Sequence, residues 1–302
     1  MKLTILGCHS ATPRWDANPT SQILEVKGHL FLIDCAEGTQ VQLRRFKVKF
    51  SRVKHIFISH LHGDHFFGLV GLISTFRLLG READLHIYGP KGIKDAVLLQ
   101  LKLGKSYTNY KLFFHELESK EPQLLFEDDK VSVTTIPLDH RIYTNGFLFQ
   151  EKLGERKLDV EKARSLNVEM SYYNKIKKGA DAPTKDGGLV LNSLITLDPD
   201  PAKSYAYCSD TAYYPRIITQ ITNVTALYHE STFLQKDQAL AVKTKHSTAQ
   251  EAAQIAVAAK VGQLILGHYS GRYGNYNLFK EEANQYFENV TLAQDGKVID
   301  IN

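Results

Sequence analysis

The chain has 302 residues, 43% of them hydrophobic and 23% charged, and carries a formal net charge of +4. That length buries a full core as one large domain or two small ones, and so mild a basic balance permits a nucleic-acid partner without demanding one. No run approaches the ~18 apolar residues of a membrane span, and the first apolar stretch, Leu3 to Leu6, is too short for a signal segment, so a cytoplasmic location is expected.

In chain order, short apolar or β-branched runs predict strands at 3–6, 23–26, 30–33, 55–58, 85–88, 112–114, 131–136 and 147–149, with helices at 66–79 and 93–101 between them. After a break come strands at 205–208, 225–228, 264–266 and 298–301, and helices at 248–261 and 278–287. Ser247 stands where it can cap the first of these two helices, with Gln250 at the capping-box spacing. The period of two dominates with helices interposed, which predicts a layered α/β protein of mixed sheets sandwiched between helices. Three cysteines, Cys8, Cys35 and Cys208, lie far apart within or beside these apolar runs and read as buried reduced thiols.

The stretch 152–203 interrupts the strand rhythm. It is polar, rich in Gly and Pro, and reads as an inserted arm within a domain spanning 1–302. Between Lys152 and Lys178 eight Lys/Arg face four Asp/Glu, and Tyr172, Tyr173 and Ile176 sit beside Lys175, Lys177 and Lys178. A solvated surface excursion and an RNA-gripping arm both fit this composition.

The densest chemistry is His60-Leu61-His62-Gly63-Asp64-His65, directly after the β-type run Ile56-Phe57-Ile58-Ser59. Four potential metal ligands within six residues would arise by chance in such a chain on the order of once in a thousand. Catalytic zinc takes imidazole and carboxylate ligands and keeps a position open for water. His60 and His62 can turn toward one ion, Asp64 and His65 toward a neighbour, with Gly63 letting the backbone bend between them. His140, Asp210 and His268 each follow a hydrophobic strand, and together these seven residues suffice for two ions if one carboxylate bridges.

The run Ser59 to Leu69 resembles the signature of the metallo-β-lactamase fold in the form used by ribonuclease Z, the tRNA 3'-processing endoribonuclease. The resemblance extends through Asp34-Cys35-Ala36-Glu37-Gly38-Thr39-Gln40, Tyr207 to Thr211, His229 to Phe233, Lys245 to Ala249 and Leu266 to Tyr273. It implies a four-layer αββα sandwich of two mixed β-sheets, two Zn2+ per subunit, a homodimer, and precursor tRNA as partner, with no membrane and no DNA. By the family pattern His60, His62 and His140 hold one zinc and Asp64, His65 and His268 the other. Asp210 would bridge the two ions, and Asp34 would support the histidines from behind.

Two stretches depart from the family pattern. Pro13-Arg14-Trp15-Asp16-Ala17-Asn18 keeps only the first proline and last asparagine of a Pro-x-Lys-x-Arg-Asn loop associated with the CCA end, and Glu169-Met170-Ser171-Tyr172 replaces a Gly-Pro element of the arm.

The implied reaction is hydrolysis by metal-activated hydroxide, leaving a 3'-hydroxyl on the tRNA and a 5'-phosphate on the trailer. Asp64 would orient or deprotonate the water. His246, charged by Glu230, would protonate the departing oxygen, and Ser270 and Arg272 would bind the scissile phosphate. Two other readings use the same residues: a small-phosphodiester or thioester hydrolase without need of an RNA arm, and a non-catalytic RNA-binding subunit, which would be expected to lack ligands that this chain has.

Overall fold

A computed structural model describes residues 1–12 and 14–302; Pro13, the proline of the loop noted above, lies outside the described residues. The chain divides into two compact units, one formed by Met1–Gln150 with Lys203–Asn302 and the other by Glu151–Ala202. The first begins as an antiparallel meander of β1 (Lys2–Gly7), β2 (Ser21–Val26) and β3 (His29–Cys35). Then α1 (Thr39–Arg45) leads to β4 (His55–Phe57), α2 (Gly63–Phe66) and α3 (Leu69–Leu78) to β5 (Leu85–Pro90), and α4 (Ile93–Leu103) to β6 (Leu112–Leu117). Helical crossovers between neighbouring strands make β3 to β6 parallel.

A second sheet starts with β7 (Leu124–Glu127), β8 (Val131–Pro137) and β9 (Asn145–Glu151). The Glu151–Ala202 unit follows. It consists of two small ladders, β10 (Lys157–Leu158) with β13 (Thr196–Leu197) and β11 (Ala182–Pro183) with β12 (Leu189–Val190), and of α5 (Val160–Ser165), α6 (Tyr173–Lys177) and α7 (Asn192–Ile195). Its own small core joins Ala163, Val168, Ile176, Ala182, Val190 and Ile195.

The chain then returns through β14 (Ser204–Cys208) and β15 (Ala226–Glu230), α8 (Gln238–Thr244) and α9 (Ala249–Ala258), β16 (Leu264–Gly267), α10 (Asn277–Ala283), β17 (Val290–Leu292) and β18 (Val298–Asp300). Strands β14 to β17 are parallel, and β18 crosses to pair with β1. The result is two seven-stranded mixed sheets, ordered β18-β1-β2-β3-β4-β5-β6 and β17-β16-β15-β14-β9-β8-β7.

Alternation along the strands explains the layering. Phe31, Ile33 and Phe57 face a core shared with Val133, Phe147, Tyr205 and Tyr228 of the second sheet, whereas Leu30, Leu32, Ile56 and Ile58 face Leu43 of α1, Ile73 and Phe76 of α3 and Val97 of α4. On the other side Ala249, Ala252, Ala253, Ile255 and Ala256 of α9 pack on the second sheet, so the order is helix, sheet, sheet, helix.

The helix expected at 66–79 is two helices. At Gly68 the amide donates to the Cys35 carbonyl at 2.9 Å, and a β-carbon would stand 1.9 Å from the Ala36 carbonyl oxygen, so the chain turns there to touch the end of β3. The cap of α9 is Thr248 with Glu251, one residue beyond the expected Ser247 and Gln250. Ser247 instead donates its hydroxyl to the Thr211 carbonyl at 2.7 Å. The three cysteines are free and buried. Among the described residues no helix is long and apolar enough to cross a membrane.

A candidate metal centre at the strand ends

The seven candidate ligands meet beyond the carboxyl ends of β4, β8, β14 and β16, where the strands release their chains into loops. One group comprises His60, His62, His140 and Asp210. His60 Nε2 lies 2.9 Å from His62 Nδ1, which lies 3.3 Å from His140 Nε2, and Asp210 Oδ2 is 3.6 and 3.7 Å from the His60 and His140 nitrogens. The other group is Asp64, His65 and His268. Asp210 Oδ1 stands 3.1 Å from His65 Nε2 and 3.2 Å from His268 Nε2, and Asp64 Oδ2 is 3.5 Å from both. Asp210 thus turns one oxygen toward each group.

The surrounding hydrogen bonds fix which nitrogen points inward. Asp34, fully buried, accepts from the Ser59 amide at 2.7 Å, the Ser59 hydroxyl at 2.9 Å, His65 Nδ1 at 2.7 Å and the Tyr207 hydroxyl at 2.6 Å. Because Ser59 Oγ donates to Asp34, it accepts from His60 Nδ1 at 3.0 Å. Thr232 Oγ1 likewise donates to Glu230 at 2.5 Å and accepts from His268 Nδ1 at 2.8 Å, while His140 Nδ1 donates to the Lys245 carbonyl at 2.8 Å. Four imidazoles therefore spend their Nδ1 protons outward and aim the Nε2 lone pair at the cluster.

Electrostatics agree with that arrangement. Burial holds His60, His62 and His140 below the ordinary imidazole range, leaving neutral donors. His65 is pushed the other way: burial opposes its charge, but Asp210, Asp34 and Asp64 outweigh it. Burial alone would raise Asp64 and Asp210, yet the adjacent histidines hold both well below the usual carboxylate range. A buried carboxylate set of this kind needs positive charge beside it, which a proton on His65 supplies in the protein alone.

The donor set fits divalent metal. Among the described residues His65 Nε2 and His268 Nε2 are buried without a hydrogen-bond partner of acceptable geometry, and the donor separations bracket the ~3.4 Å edge of a tetrahedron with ~2.0–2.1 Å metal–ligand bonds. Some backbone strain is stored at the site. Asp34, Asp210, Lys245 and His268 all adopt left-handed backbone conformations, with φ between 54° and 61°. The hydrogen bonds above, with the His268 amide on the Cys8 carbonyl at 2.7 Å, hold them there.

Glu230 ends β15 and accepts from the amides of Thr211 and Thr232 at 2.9 and 3.1 Å; its Oε1 is also 2.7 Å from His246 Nδ1. Burial works against a charge on His246, but this carboxylate outweighs it and pushes the imidazole up to about 9. The ring stacks on His268, 5.3 Å between centroids, and borders a cleft of about 390 Å³ that also holds His62, Asp64, Asp210 and Ser270.

Other expected site residues fall differently. Arg272 is outside the lining of that cleft, its guanidinium 5.5 Å over the Phe233 ring. Lys175, Lys177 and Lys178 belong to the Glu151–Ala202 unit, on and just after α6, with Lys175 Nζ 4.8 Å over the Tyr172 ring. Gly63 opens α2 without positive φ; what it provides is room, since a β-carbon would meet the Phe67 ring at 2.3 Å. Sequence reasoning passed over Arg141, which lines the cleft, and Ser59, Tyr207 and Thr232, which orient the ligands. All four adjoin or lie inside the motif strings, and their supporting role was the missing step.

A family model described as anti-Pycsar protein Apyc1 matches residues 1–293. Curated relatives named ribonuclease Z match at full length: that of Bacteroides thetaiotaomicron is 49% identical over 100% of this chain and 95% of its own, and that of Bacteroides fragilis 45% identical over 99% of each. The chain belongs to the ribonuclease Z family. It also falls within the family that the Apyc1 model describes. Among solved structures it is similar to human tRNase Z, short form, with a TM-score of 0.74 and 27% identity over 100% of both chains. The metallo-β-lactamase-fold protein YhfI of Bacillus subtilis, 19% identical with a TM-score of 0.67 over 99% of this chain and 98% of its own, shares the fold.

Proposed function

We propose that this member of the ribonuclease Z family is a zinc-dependent endoribonuclease that removes 3' trailers from precursor tRNA, leaving a 3'-hydroxyl on the tRNA and a 5'-phosphate on the trailer. The observation that carries the reading is Asp210, whose two oxygens serve two converging ligand groups in a chain 49% identical to a ribonuclease Z over its full length. His60, His62, His140 and Asp210 would hold one ion, and Asp64, His65, His268 and Asp210 the other. When bound, such a pair supplies positive charge to phosphodiester oxygens and acidifies water at neutral pH.

The chain's own residues provide the rest. Asp64, at the cleft wall, takes the proton of the attacking water. Arg141 and Ser270 border the same cleft and bind the non-bridging oxygens of the scissile phosphate. His246, kept charged by Glu230, donates its proton to the departing 3'-oxygen. The Glu151–Ala202 unit, with Lys175, Lys177 and Lys178, grips the precursor. Its substrate places the enzyme in the cytoplasm. Exposed Leu78 and Leu79 at the end of α3 and Leu99 and Leu103 on α4 supply apolar area for a homodimer.

The test is incubation of purified protein with a precursor tRNA, mapping both new ends with and without chelator. A 3'-hydroxyl and a 5'-phosphate at one position, lost with chelator, support the reading. Hydrolysis of a small chromogenic phosphodiester with the precursor left intact would overturn it in favour of a small-substrate hydrolase.

A further inference from the structure

The connection from α1 to β4 reads Arg44-Arg45-Phe46-Lys47-Val48-Lys49-Phe50-Ser51-Arg52-Val53-Lys54, six cations in eleven residues with no carboxylate. The whole chain is net +4, so with +6 in this segment the remainder is net −2. The Glu151–Ala202 unit, by contrast, holds nine Lys/Arg and nine Asp/Glu and is neutral. The positive excess of the protein therefore resides in the segment 44–54.

All six cations are exposed, and among the described residues none is ion-paired with a carboxylate. Arg44 and Arg45 in the last turn of α1 complement the helix dipole, and Arg52 donates to the Gly28 carbonyl at 3.0 Å. No such local partner accounts for Lys47 and Lys49. Lys47, Lys49 and Arg52 line two adjoining clefts, one of about 710 Å³ floored by Val48, Phe50 and Phe76, the other of about 480 Å³. Each cleft also takes in one carboxylate, Glu82 in the larger and Glu25 in the smaller, so both linings stay net positive. Net positive charge around an apolar floor suits a polyanion whose backbone carries phosphates and whose bases or sugars offer flat surface.

Its distance from the centre is set by the sheet. His55 opens β4 and His60 follows its end, so the segment lies at the opposite end of that strand, roughly 20 Å from the ligands at ~3.3 Å per residue. We propose that segment 44–54 is a second RNA-contact surface, which engages the phosphate backbone of the precursor remote from the scissile bond. The inference rests on the ribonuclease reading and deepens it.

The test measures equilibrium binding of a precursor tRNA with a non-cleavable linkage at the processing site, across about 50 to 200 mM salt. Three variants of the full chain are compared: wild type, Lys47→Gln/Lys49→Gln/Arg52→Gln, and the charge-conserving Lys47→Arg/Lys49→Arg/Arg52→Lys. The neutral variant should bind at least about tenfold more weakly, with a salt slope shallower by about 2 to 3, while the conserving variant keeps the wild-type slope. Hydrolysis of a small chromogenic phosphodiester should be unchanged in both. Wild-type affinity and slope in the neutral variant would overturn the proposal, as would a wild type that binds no RNA. A wild type that binds an unmodified precursor and leaves it uncut would overturn the ribonuclease reading alone.

Discussion

Asp34 touches none of the space where metal would sit, yet four donors converge on its buried carboxylate, two from Ser59 and one each from His65 and Tyr207. Asp34→Ala strands all four in a dry interior. Urea unfolding should show a loss of about 3–5 kcal/mol, and the purified variant should retain less metal than wild type because His60 and His65 lose their orientation. Glu230 plays the corresponding part for His246. A raised imidazole pKa means the folded chain holds its proton more tightly than the unfolded one. The pair therefore stabilises the metal-free protein fully below about pH 6.5, and that contribution disappears as pH rises through about 9. In Glu230→Gln the largest raising influences are gone, leaving burial and Arg141 opposed only by Asp210, so NMR titration of the metal-free variant should find His246 well below about 9.

Elements were legible wherever one period dominated. The alternation of Leu30-Phe31-Leu32-Ile33 between two cores is visible in the residues themselves, and β3 follows. The start of α9 was ambiguous, because Ser247 with Gln250 and Thr248 with Glu251 offer the same spacing one residue apart. The Thr211 carbonyl, distant in sequence, claims the Ser247 hydroxyl, and Glu251 Oε2 accepts from the Thr248 amide at 2.9 Å. Thr248→Ala should lower unfolding free energy by about 1 kcal/mol, whereas Gln250→Ala should change it by less than half as much. The break between α2 and α3 was invisible for the same reason: the Ala36 carbonyl that excludes a side chain at Gly68 arrives from another element.

At the scale of the molecule, the sequence disclosed that His140, Asp210 and His268 each follow a strand, but not that those strands end side by side; sheet order decides that. Charge placement was legible only in part. The local count of 152–178 hid that Glu151 and the acids of 179–202 together neutralise the arm and that the excess lies at 44–54. The arm is still expected to act through its local cluster. Lys175→Ala/Lys177→Ala/Lys178→Ala should raise KM for precursor tRNA several-fold and spare a small diester, and equal loss of both activities would contradict that role.

Asp210 divides its carboxylate between two ligand groups, one oxygen to each. Elemental analysis of protein purified with zinc present and then dialysed tests this most directly. Two divalent ions per chain in the wild type, falling below one in Asp210→Ala, is the predicted result. A wild type that retains no metal, or an Asp210→Ala variant that retains both ions, would contradict it.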